Sequence, residues 1–149
     1  MKRTALVLVP LLALAGAQTF AAGDLSRNNP EEVVIEMGSN AGGMYFKPNH
    51  LEFETGKAYK LVLRNTDVIK HEVEAGEFAE KVFTRKVEVK DENGNMLAEI
   101  KGSVREVEVG PKSEVEWFIV PVQTGKNLAM ECALRGHKEA GMVGTITIN

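Results

Sequence analysis

Cysteine is nearly absent: Cys132 is the only one among 149 residues. An internal disulfide is excluded, and one thiolate is too few for an ordinary structural zinc site. Histidine is scarce, at three residues, and tryptophan occurs once. There is no excess of positive charge. The 18 Lys and Arg stand against 21 Asp and Glu, interspersed without a basic stripe, so nucleic acid is not an expected partner. Long apolar runs are missing too. The one substantial run, Thr4 to Ala17, is interrupted by Pro10 and too short for a comfortable membrane span.

What that run does resemble is an export leader. Met1-Lys2-Arg3 is a short basic start, and small residues follow at Ala15-Gly16-Ala17 and Ala21-Ala22. Residues 1–22 are expected to be a signal peptide, cleaved after Ala17 or Ala22, ahead of a single domain over 23–149. Removing Lys2 and Arg3 leaves 16 basic residues (18 − 2) against 21 acidic ones, a net charge of −5. The expected location is outside the cytoplasm, in a bacterial periplasm, with no membrane span in the mature chain. A lone thiol is a liability in an oxidising compartment, and a metal that holds it as thiolate is one good reason to keep it.

The rest of the chain alternates or is rich in β-branched residues. Strands are expected at Glu32–Met37, Lys57–Asn65, His71–Ala75, Arg85–Lys90, Val104–Val109, Ser113–Val120, Asn127–Cys132 and Gly144–Ile148. Residues 86–100 read as a hairpin with Asn93-Gly94 at its tip. A short helix is expected near Glu77–Val82, and Gly38–Gly43 reads as a flexible loop. Eight short strands at this spacing imply an all-β, Greek-key antiparallel β-sandwich with an extra hairpin.

Three uncommon side chains crowd into the last strand-to-strand connection, which reads C-x4-H-x4-M: Cys132, His137 and Met142. Thiolate, imidazole and thioether form a soft ligand set suited to copper in both oxidation states. A trigonal set of two imidazoles and a thiolate, with a long axial methionine, describes a type 1 electron-transfer site. The second imidazole must come from His50 or His71. His71 opens a strand and is favoured, whereas His50 follows Pro48-Asn49 and is expected on the surface. A Cys-His hydrolase is disfavoured, because no Asn or Asp stands in an obvious orienting position and Met142 would have no task.

"NTDVIKHEVEA" (Asn65 to Ala75) and "CALRGHKEAGMVGTITI" (Cys132 to Ile148) together resemble the cupredoxin family of blue copper proteins. The likeness extends from about Val33 to Ile148. It implies one type 1 copper per chain, with His71, Cys132 and His137 as equatorial ligands and Met142 as the axial one. Many family loops carry proline where this chain has Arg135, and Glu72 replaces a small polar residue that hydrogen-bonds the thiolate region in several relatives. A carboxylate there would favour the oxidised site if it faced the metal. The expected role is single-electron transfer by Cu(I)/Cu(II) cycling with a redox partner such as a cytochrome or oxidase. The alternative is copper tolerance, by binding or oxidising excess copper without a dedicated partner. In either role the chain is expected not to be an enzyme.

Overall fold

The computed structural model describes residues 29–149. The expected leader over 1–22 lies outside the described residues. Eleven strands and one short helix follow in the order β1 (Glu31–Asn40), β2 (Gly43–Lys47), β3 (His50–Phe53), β4 (Tyr59–Asn65), β5 (His71–Glu74), α1 (Gly76–Ala79), β6 (Val82–Lys90), β7 (Met96–Ile100), β8 (Glu106–Val109), β9 (Glu114–Pro121), β10 (Gly125–Glu131) and β11 (Val143–Ile148). They form a sandwich of two sheets, ordered β2-β1-β4-β9-β6-β7 and β3-β11-β10-β5-β8.

The period-2 pattern explains the layers. In β3 and β8 every second residue is buried, and β9 turns Val115, Trp117 and Ile119 inward. Helix α1 contributes Phe78, which is fully buried against Phe53 and Trp117 with ring centroids 5.5 and 5.9 Å away. Burying side chains of this size contributes about 1.5–3 kcal/mol each. Trp117 keeps its indole N–H satisfied by donating to Thr84 Oγ1 at 3.1 Å.

The β-sandwich and the β6–β7 hairpin agree with the sequence pattern. Asp91 closes the hairpin tip by accepting the N–H groups of Asn93 and Asn95 on its side chain. Three details differ. The sheets are mixed, because β1 runs parallel to β4 and β3 parallel to β11. Strands β2 and β3 are short, five and four residues, and parted by Pro48-Asn49, and neither is among the expected strands. Residues 38–43 are no open loop: β1 runs through Asn40 and turns at Ala41-Gly42 into β2.

Strand β2 braces the end of the sandwich where the C-x4-H-x4-M segment sits. Met44 N–H donates to Ala140 O at 2.9 Å. Gly43, at φ +121°, lies so close that a Cβ there would stand 2.3 Å from Ala140 O. Only glycine supplies both that backbone conformation and that clearance.

Candidate metal centre

Cys132 directly follows β10, and Met142 directly precedes β11. Their main chains join, Cys132 N–H donating to Met142 O at 3.2 Å. Between these points the chain makes tight turns. His137 N–H donates to Leu134 O, Ala140 N–H to Gly136 O and Met142 N–H to His137 O, all at 3.0–3.1 Å. Gly136, at φ +86°, permits the turn that aims His137 back at the sandwich.

One donor atom each from His71, Cys132 and His137 lies within 4.8 Å of the others. His137 Nδ1 is the centre of the group, 3.2 Å from Cys132 Sγ and 3.2 Å from His71 Nδ1. Converging lone pairs at such separations call for a shared proton or a cation. They are also near the spacing that donors about 2.0–2.3 Å from a common ion adopt. Cys132, His71 and Met142 are all fully buried, and His137 is half-buried. His50 stands apart: it is exposed on β3, with Nδ1 2.7 Å from Thr145 Oγ1.

The thiol is shaped by burial. Desolvation pushes the Cys132 pKa up, while N–H groups of Glu72 and Leu134 directed at the sulfur oppose the rise. Burial likewise lowers His137, helped by the nearby His71, so its imidazole is held neutral. A neutral imidazole is what a metal requires, whereas the thiol must lose a proton.

The Glu72 carboxylate does not face this cluster, and it acts only as a nearby charge that adds to the rise of the Cys132 pKa. Strand alternation turns its side chain the other way from His71, into a group with Glu74 and Glu106. Burial and the Glu106 charge raise its pKa. It is the Glu72 backbone N–H that reaches the sulfur, at 3.4 Å.

The residues behind the cluster were not singled out from the sequence. Asn65, 2% exposed, donates through Nδ2 to Ile69 O, Val109 O and Gly110 O at 2.8–3.0 Å and accepts Asp67 N–H on Oδ1 at 2.8 Å. It thereby pins the turn that delivers His71. Asp67 Oδ2 is 3.3 Å from His71 Nε2 and accepts the Ser39 hydroxyl at 2.6 Å. Its Oδ1 accepts Val68 N–H at 2.7 Å. Ser39 and Val68, with His71 adding to them, lower its pKa to about 2. The available signals were the Asn65-x-Asp67 turn pattern and the four-residue step from Asp67 to His71.

No protein-family model matches the chain. It is 25% identical over 133 residues to the "copper-resistant cuproprotein CopI" of Pseudomonas aeruginosa, with 72% of each chain covered. Among solved structures it is similar to a multicopper oxidase from Campylobacter jejuni, with a TM-score of 0.61 at 16% identity over 81% of this chain and 30% of that one. A copper-containing nitrite reductase from Thermus scotoductus also matches at 0.61, with 12% identity over 84% of this chain and 32% of that one. The nitrite reductase of Nitrosomonas europaea gives 0.61 at 10% identity, covering 82% and 50%. The chain thus spans less than a third of the first two and half of the third. These likenesses define the class of fold: the chain is a cupredoxin-like β-sandwich. They also overturn the expectation that it is not an enzyme, because the solved structures sharing its fold are oxidases and nitrite reductases, which are enzymes. The expectation had rested on the carrier and tolerance roles that the resemblance implies, in which the protein supplies geometry rather than bond-making chemistry.

Proposed function

We propose that the protein is a type 1 copper protein, held through His71, Cys132 and His137 with Met142 as axial partner, that passes single electrons. The convergence of Nδ1, Sγ and Nδ1 within 4.8 Å carries this reading. The donor set fits copper: two imidazoles and a thiolate are soft, and a buried Met closes the set in sequence. Bound there, copper supplies one-electron chemistry by alternating between Cu(I) and Cu(II).

The chain supplies rigidity and access. Clamping Cys132 to Met142 through the main chain restrains the ligand segment and limits how far it rearranges when charge changes. Half-buried His137 is the route outward, because the Cys132, His71 and Met142 side chains are sealed in. Around it lie exposed Ala133, Arg135, Lys138, Glu139 and Val143, a mixed rim suited to selecting a redox partner by charge. The leader-like residues 1–22 favour export to the periplasm.

A second reading has one observation in its favour. The relative of Pseudomonas aeruginosa is named for copper resistance. Under that reading the same site binds or oxidises excess periplasmic copper. The test of the site is spectroscopic. Purified protein with one equivalent of Cu(II) should show an intense visible thiolate-to-copper band, and Cys132→Ser should abolish it. A Cys132→Ser protein that keeps the band overturns the assignment. Reversible one-electron voltammetry then supports transfer, and copper sensitivity on gene deletion supports tolerance.

A further inference from the structure

We infer that Asp67, steadied by Ser39, is a positioning residue that fixes which nitrogen of His71 faces the metal. This rests on reading His71 as a copper ligand. His71 is fully buried and its two ring nitrogens meet opposite surroundings. Nε2 faces the Asp67 carboxylate at 3.3 Å, and Nδ1 faces His137 Nδ1 at 3.2 Å. A carboxylate only accepts hydrogen bonds, so Nε2 carries the proton and Nδ1 keeps its lone pair for the ion.

Asp67 itself has little freedom. Its Oδ2 takes the Ser39 hydroxyl at 2.6 Å and its Oδ1 takes Val68 N–H at 2.7 Å. Its main-chain N–H and C=O are bonded to Asn65 Oδ1 and Lys112 N–H. Ser39 comes from the end of β1, 28 residues away, so the β1–β2 hairpin reaches across to lock the ligand from behind. A carboxylate behind an imidazole makes that imidazole a stronger donor, which favours Cu(II) over Cu(I).

The experiment compares wild type with Asp67→Asn, Asp67→Ala and Ser39→Ala. In metal-free protein at about pH 8, where imidazoles are neutral, nitrogen NMR should show His71 as the Nε2–H tautomer in wild type and as a mixture in Asp67→Ala. With copper, Asp67→Ala should weaken Cu(II) binding by about 10–100-fold. Each tenfold loss for Cu(II) not matched for Cu(I) raises the one-electron potential by about 59 mV. Asp67→Asn keeps an acceptor without the charge and should fall between. Ser39→Ala, at an exposed position, should shift the same way by less, and it decides the matter together with Asp67→Asn if Asp67→Ala does not fold. A wild type without the thiolate band sinks the copper reading, while the metal-free tautomer still judges Asp67. Unchanged tautomer, affinity and potential in the variants of a normally coloured protein overturn the role of Asp67 alone.

Discussion

Replacing Asn65 with Ala should destabilise the protein without touching any donor atom of the candidate site. The Asn65 amide has two N–H protons for three carbonyl acceptors, Ile69 O, Val109 O and Gly110 O, so one bond is shared. With the bond from Asp67 N–H, three full hydrogen bonds are lost. At about 1 kcal/mol each the cost is about 3 kcal/mol, a large part of the roughly 5–15 kcal/mol that holds a domain together. In urea, with a slope of about 2 kcal/mol/M, the unfolding midpoint of metal-free protein should fall by about 1.5 M. Asn65→Asp is the sharper variant. It keeps the acceptor for Asp67 N–H but sets a carboxylate against three carbonyl oxygens, so at neutral pH it should cost more than Ala. Protonating that carboxyl should restore part of the loss at low pH. A cost for Asn65→Ala below about 1 kcal/mol, or an Asp variant more stable than the Ala variant at neutral pH, would refute the account of this amide as the pin of the His71 turn.

Met142→Leu should still bind copper and stay coloured, with a potential that rises because a weak axial donor stabilises Cu(II) more than Cu(I); an unchanged potential by voltammetry would leave Met142 a packing residue. His71→Ala should disrupt the visible spectrum while His50→Ala leaves it nearly intact, and the reverse outcome would place the second imidazole on β3. Copper binding near neutral pH should release about one proton, since His137 is held neutral and the Cys132 thiol is held protonated by burial. Affinity should therefore rise with pH until the thiol ionises by itself, and calorimetry in buffers of different ionisation enthalpy that detects no proton release would contradict a thiolate ligand.

Local pattern carried most of the fold and little of the support around the site. Strands such as β8 and β9 advertise themselves because β8, and β9 as far as Ile119, bury every second side chain. The segment from Cys132 to Met142 is legible because three rare residue types fall between two strong strands. Asp67 and Ser39 were not, since their meeting depends on how β1 and β4 pair in parallel, and no period in either strand encodes that. Glu72 misled for a related reason. The side chain is what a sequence displays, but its main-chain N–H makes the contact with sulfur.

The hydrogen bond from Cys132 N–H to Met142 O fixes both ends of the ligand segment where the strands stop. Geometrically the nine residues between them are a span with three abutments, the third being Ala140, whose carbonyl accepts Met44 N–H from β2. Residues added before His137 should displace it and its rim, while residues added around Ala140 should also loosen β2 and the bond from Met142 N–H to His137 O. How deeply the His137 imidazole sits is thereby open to insertion on one side of the span and closed to it on the other.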